Sequence, residues 1–270
     1  GTPDEATLTC GSSTCSFGSG ATADYGLKVK ANGTFAGGTG THTAGGFYMD
    51  NNAAAKATVT SGVMTINSEK TSADKAWRVE YGGDTFDNNN GTVKFAFNGF
   101  DSRFSMRSEG HANNAFHNLI IAHLGDTRTL GIDNGSKLIV DNDLTITRGI
   151  LSMNTAHELE VGGDVEIDDG SDVAVLRMGS TSTASSQAAT FGSLTIGNDG
   201  TYSATSGTTT ITGTSNADWN WTNNGTFTHN NGKVKFFTDS TSMEMWISNG
   251  DTFYDLEIDS ADPSGVYFYN

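Results

Sequence analysis

Six carboxylates crowd one short stretch of the chain: Glu158, Glu160, Asp164, Glu166, Asp168 and Asp169. Two carboxyl groups about 5 Å apart can divide acid and nucleophile work in sugar-bond hydrolysis, and a tighter oxygen cluster can hold Ca²⁺. Side chains alternate along a strand, so Asp164, Glu166 and Asp168 lie opposite Val165 and Ile167. Glu158 and Glu160 likewise lie opposite Leu159 and Val161. Strands stacked about 4.8 Å apart would bring such acids together. A solvated strand face that discourages lateral pairing uses the same residues with no chemistry at all.

Trp219 and Trp221 stand two apart in Trp219-Asn220-Trp221, which puts them on one strand face. Exposed, they would stack on sugar rings, with Asn220 and Asn223 bonding hydroxyls. Buried, they would fill an interior or cover one of its corners. Cys10 and Cys15 enclose only Gly11-Ser12-Ser13-Thr14. A local disulfide suits that spacing and an oxidising compartment, and two reduced thiols are the alternative. No second cysteine pair completes a zinc site.

His111, His117 and His123 recur at a regular spacing that does not gather ligands on one strand face. The turns Asp133-Asn134-Gly135 and Asp141-Asn142-Asp143 are rich in oxygen but lack Ca²⁺-loop spacing. No Ser-His-Asp order, nucleophile elbow, phosphate loop or dinucleotide fingerprint is present. No catalytic or metal-ligating residue is therefore assigned, and no cofactor is expected, with Ca²⁺ the one cation the turns would suit.

The elements that must position these residues are short strands. Apolar residues pair two apart at Leu27/Val29, Met64/Ile66, Val93/Phe95, Leu119/Ile121, Leu144/Ile146, Leu159/Val161, Leu194/Ile196 and Leu256/Ile258. A phrase, Phe-x-x-Leu-x-Ile, starts at Phe116, Phe191 and Phe253. Thr85-Phe86-Asp87-Asn88-Asn89-Asn90-Gly91-Thr92-Val93-Lys94-Phe95 matches the segment from Thr226 to Phe236 at one constant offset. The offset is slightly shorter where Phe116 meets Phe253 and Leu119 meets Leu256. Loops absorb insertions while strand spacing is kept, so duplication accounts for the match.

The rung that begins at Leu138 and Leu144 returns, with the same internal spacing, at Leu159 and Val165. That short period predicts an all-β fold, a parallel β-helix or β-solenoid of roughly 20-residue coils. An antiparallel β-sandwich or jelly roll is the competing arrangement. Residues 1–24 read as an N-terminal arm or cap, and residues 25–270 as the solenoid. The first residue is Gly1 rather than Met, which points to removal of something upstream.

Asn-Gly pairs at Asn32, Asn90, Asn98, Asn134, Asn224, Asn231 and Asn249 mark tight turns. The formal net charge of −16 disfavours nucleic acid and anionic membrane surfaces. No apolar run is long enough to insert in a bilayer.

The Phe-x-x-Leu-x-Ile phrase, Leu144-Thr145-Ile146 through Leu159-Glu160-Val161-Gly162-Gly163-Asp164, and Gly225-Thr226-Phe227 through Val234-Lys235-Phe236 resemble degenerate repeats of secreted β-solenoid proteins. These include bacterial filamentous adhesins, autotransporter-type passengers and phage or virion fibre proteins. The resemblance covers roughly residues 25 to 270. It implies an extracellular, cell-surface or virion location and a non-enzymatic structural or adhesive role, although polysaccharide-cleaving and glycan-binding proteins share the scaffold. The last repeat reads as incomplete. Phe253, Tyr254, Val266, Tyr267, Phe268 and Tyr269 form an expected assembly edge, to be covered by further copies, filament or virion neighbours.

Overall fold

In the computed structural model, described for residues 6–18, 25–67, 76–80, 85–97, 102–106, 114–123, 128–132, 137–168, 172–213, 219–238, 243–247, 252–260 and 266–269, every described element is a strand. Successive strands wind around three faces. The first coils are β1 (Ala6–Thr9), β2 (Ser16–Phe17) and β3 (Leu27–Val29), then β4 (Gly33–Ala36), β5 (His42–Ala44) and β6 (Phe47–Met49). There follow β7 (Lys56–Thr58), β8 (Val63–Ile66) and β9 (Trp77–Val79), then β10 (Phe86–Asp87), β11 (Thr92–Phe95) and β12 (Ser102–Met106). The middle coils hold β13 (Asn118–Ala122), β14 (Thr129–Ile132), β15 (Lys137–Val140) and the long β16 (Leu144–Ser152), β17 (Glu158–Ile167), β18 (Ala174–Arg177) and β19 (Ala189–Ile196). The last are β20 (Gly200–Ser203), β21 (Thr208–Ile211), β22 (Trp221–Asn223), β23 (Thr226–Thr228), β24 (Lys233–Thr238), β25 (Met243–Ile247), β26 (Asp255–Ser260) and β27 (Val266–Tyr269).

All pairings between these strands are parallel, so the chain is a β-solenoid and the sandwich alternative does not apply. The first face runs β1–β4–β7–β10. It resumes at the Phe116–Val140 bridge and continues through β15, the first halves of β17 and β19, β21, β24 and β26. The second face runs β2–β5–β8–β11–β13, then the start of β16, the ends of β17 and β19, β22, β25 and β27. The third holds β3–β6–β9–β12–β14, the end of β16, β18, β20 and β23.

Pairing two apart explains the interior. Ile66, Phe95, Ile121, Ile146, Ile167 and Ile196 stand in register on consecutive second-face rungs, beside Met64, Val93, Leu119, Leu144, Val165 and Leu194. All twelve are at most 3 % exposed. A buried Leu, Ile, Val or Phe side chain contributes about 1.5–3 kcal/mol, so this ladder holds successive coils together.

Coil length is not constant. The rung partner of Leu144 is Val165, one short coil on, whereas the partner of Leu159 is Ala189, a much longer step along the chain. The extra length sits in corner loops, where no rung hydrogen bond is lost. Within the stretch read as an N-terminal arm or cap, β1 and β2 pair in parallel with β4 and β5.

The duplicated segments keep their packing but not their faces. Trp77 in the third face lies 6.0, 6.3 and 5.4 Å from the rings of Phe86, Phe95 and Phe116. Trp221 in the second face lies 5.1, 5.9 and 5.4 Å from Phe227, Phe236 and Phe253, the aligned residues. Phe86 belongs to the first face and Phe227 to the third, while Val93 belongs to the second and Val234 to the first. The second copy is therefore turned by one face about the axis. Asn89-Asn90 and Asn230-Asn231 take the same left-handed turn, with φ of 50° and 53° against 50° and 61°. The three faces are close enough in geometry to accept the same sequence.

Candidate functional site

The acidic stretch does not form one cluster. Gly162 and Gly163 turn a corner within β17, and a Cβ on Gly162 would meet the Asp141 carbonyl at 2.4 Å. The chain before this corner lies on the first face and the chain after it on the second. Glu158 and Glu160 consequently stand over Lys137 and Ile139, and Lys137 pairs with Glu160. Glu166 lies between Thr145 and Thr195. Asp164 is a corner brace: its backbone N–H donates to Asp143 Oδ1 at 2.9 Å, and Ser193 Oγ donates to its Oδ1 at 2.6 Å. Asp168 is buried at φ 88°, its Oδ2 accepting the Asp199 N–H at 2.8 Å. None of Glu158, Glu160, Asp164 and Glu166 has a carboxylate as its strand partner. Asp169 lies outside the described residues, as do Asp133-Asn134-Gly135 and His111.

Trp219 and Trp221 part company too. Trp221 points inward and is fully buried, in register between Leu194 and Met245. Trp219 precedes the strand and turns outward, with ring centroids 5.5 Å from Trp246 and 4.8 Å from Tyr269. Trp246 and Tyr269 are strand partners, both more than a third exposed. The outward aromatic group is thus Trp219, Trp246 and Tyr269. The alternation Met243/Met245 inward, Glu244/Trp246 outward was the signal for Trp246, and it could be read only once β25 was recognised as a strand. Asn220 and Asn223 are buried and brace backbone: Asn220 Oδ1 accepts the Glu244 N–H and Asn223 Oδ1 the Gly225 N–H, both at 3.0 Å.

Below this group, on the first face, lies an ion-pair ladder. Lys233 Nζ is 2.6 Å from Glu257 Oε2, and Lys235 Nζ is 3.1 Å from Glu257 Oε1 and 2.6 Å from Asp259. Hydrogen bonds from Lys233 and then Lys235 hold the Glu257 carboxyl below its usual range. Such a group stabilises the fold above its unfolded pKa and loses that contribution as pH falls through the depressed value. Protection factors of the β26 amides, referenced to the intrinsic exchange rate at each pH, should therefore fall on acidification below about pH 4, and in high salt at neutral pH, while those of β13 hold. Equal pH sensitivity in both strands would remove the ladder from the account.

The residues expected to form an assembly edge lie on and beside the rung of β26 and β27. Leu256, Ile258 and Phe268 occupy inward positions, in register with the buried Val234, Phe236 and Met245, yet are 39, 47 and 48 % exposed. Leu256 and Ile258 thus depart from the buried core that their spacing predicts. Tyr254 and Tyr267 are exposed as well. Phe253 instead packs inward on Trp221 and Phe227, and Val266 is half-buried against the core. Among the described residues no strand pairs with the outer edges of β26 and β27.

Cys10 and Cys15 are joined by a disulfide. Among the described residues no helix is long and apolar enough to cross a membrane. Fold and sites together define a parallel β-solenoid built from repeats, with a disulfide-closed first coil and an apolar last rung. No protein-family model, curated protein or solved structure matches the chain.

Proposed function

We propose that this chain is a non-enzymatic structural or adhesive protein, extracellular, on a cell surface or on a virion, a rigid β-solenoid that assembles end to end with further copies. The observation that carries the reading is the last rung, where inward-type residues Leu256, Ile258 and Phe268 are exposed beside a strand edge that no described strand covers. Such an edge adds strands readily.

A second copy is the occupant that best fits it. At the other end, Leu8, Leu27, Val29 and Phe35 line a cleft of about 380 Å³ bordered by Lys28 and Lys30. The exposed apolar side chains of Leu256, Ile258 and Phe268 would meet that apolar cleft. A heterologous contact of that kind builds filaments.

Sedimentation of the full chain at tens of micromolar should show association. Ile258→Lys with Phe268→Lys should weaken it at least tenfold while leaving the circular dichroism spectrum unchanged. A wild-type chain that stays monomeric overturns the reading.

A glycan-binding role is the second reading, supported by the outward group Trp219, Trp246 and Tyr269. Glycan retention that survives Trp246→Ala would eliminate it.

A further inference from the structure

The first coil carries a three-residue cluster outside everything above. Sγ of Cys10, Sγ of Cys15 and a ring nitrogen of His42 all lie within 4.8 Å of one another. His42 points into the interior from β5 and is fully buried. Its Nε2 is 2.6 Å from the Gly37 carbonyl oxygen, which can only accept, so Nε2 bears the proton. Its Nδ1 then keeps a lone pair and accepts the Cys15 N–H at 3.1 Å. A ring whose far N–H is held by a backbone carbonyl, with its other nitrogen accepting the Cys15 N–H close to the two sulfurs, has the arrangement of a ligating histidine with its outer-shell partner in place.

We infer that the reduced chain holds one zinc-type cation through Cys10, Cys15 and His42. A dithiol reductant gives two electrons and two protons to the disulfide and leaves as a cyclic disulfide, and Cys10 and Cys15 become thiols. Binding the cation expels the two thiol protons, and His42 Nδ1 exchanges the Cys15 N–H for the metal. Tetrahedral zinc, with bonds of about 2.3 Å to sulfur and about 2.0 Å to nitrogen, needs ligand atoms roughly 4 Å apart or slightly less. The cluster therefore needs only a small contraction about the metal once the sulfurs have separated. The fourth position falls to water, because two sulfurs and one nitrogen leave it open.

The loop from Gly11 to Thr14 can thus be closed in either redox state. Its strand β1 is exposed at every residue and gains little from burial, so the closure matters to the first coil.

The test uses the full chain, reduced with a dithiol, desalted without oxygen and titrated with Co²⁺ as probe. One equivalent should produce thiolate-to-cobalt charge transfer and intense tetrahedral d–d bands, both erased by Zn²⁺. The oxidised chain should show neither, and His42→Ala should weaken binding at least tenfold. A reduced wild-type chain without a stoichiometric band overturns the inference. So does His42→Ala binding with wild-type affinity, since two thiols alone would then be the ligand. If His42→Ala does not fold, the imidazole ¹⁵N spectrum of the reduced wild type decides: Zn²⁺ must shift Nδ1 and leave Nε2 protonated.

Discussion

Trp221→Ala lowers stability by about 4 kcal/mol, within the range for truncating a buried tryptophan, and Trp77→Ala costs about the same. Each indole is fully buried and meets three phenylalanine rings at aligned positions of the two copies. Alanine would leave a cavity that neighbours on stacked rungs cannot collapse into, because strand register fixes Leu194 and Met245 on either side of Trp221. In a stack whose units contact only their neighbours, the loss stays local. Hydrogen exchange in Trp221→Ala should rise from β21 to β26 and stay unchanged from β4 to β8, and the reverse should hold for Trp77→Ala. Trp219→Ala, on the exterior, should cost less than about 1 kcal/mol. Equal costs at Trp219 and Trp221 would contradict the assignment of inside and outside.

The same contrast shows what the sequence makes legible. Pairs two apart reveal the interior because a strand has period two. Leu119, Ile121, Leu144, Ile146, Leu159, Val161, Leu194 and Ile196 are all buried at 1 % or less. Period two fails where the chain turns. The Phe-x-x-Leu-x-Ile phrase crosses a corner, with Phe116 and Phe191 ending first-face rungs and Leu119 and Leu194 opening second-face ones. Trp219 and Trp221 span a bend, so counting by twos misplaces one of them. Glu160 and Asp164 are split by Gly162-Gly163, a corner that reads in the sequence only as two glycines. The His42 cluster is illegible for a different reason: β5 reaches Cys15 through the winding, not through any local spacing. The face shift of the second copy is likewise hidden. The offset between Thr85 and Thr226 fixes a face only when every coil length is known, and those lengths vary, as the steps from Leu144 to Val165 and from Leu159 to Ala189 show.

That face shift gives the second large effect. Gly91→Ala and Gly232→Ala should each cost about 3 kcal/mol, the upper part of the range for forcing volume into a packed site. A Cβ on Gly91 would sit 1.8 Å from the Thr60 carbonyl oxygen, and one on Gly232 would sit 2.1 Å from that of Thr205. Neither glycine has a left-handed φ, so what each position requires is space. Neither carbonyl can yield. Thr60 and Thr205 are buried, and their hydroxyls accept the N–H of Gly62 and Gly207 while donating to the Gly40 and Ser185 carbonyls. The rung above is tied down as well, by Thr92 N–H to Gly62 O at 2.9 Å and Lys233 N–H to Gly207 O at 2.8 Å. One corner joins the first face to the second and the other joins the third to the first, yet the two are built alike. Their costs should therefore agree within about 1 kcal/mol, as for equivalent sites. Gly11→Ala is the control: nothing lies within 4 Å of its Cβ, and only its φ of 62° resists, at about 1 kcal/mol. If Gly232→Ala were as mild as Gly11→Ala while Gly91→Ala stayed severe, the corners would not be equivalent. The rotated copy would then share sequence with the first but not its packing.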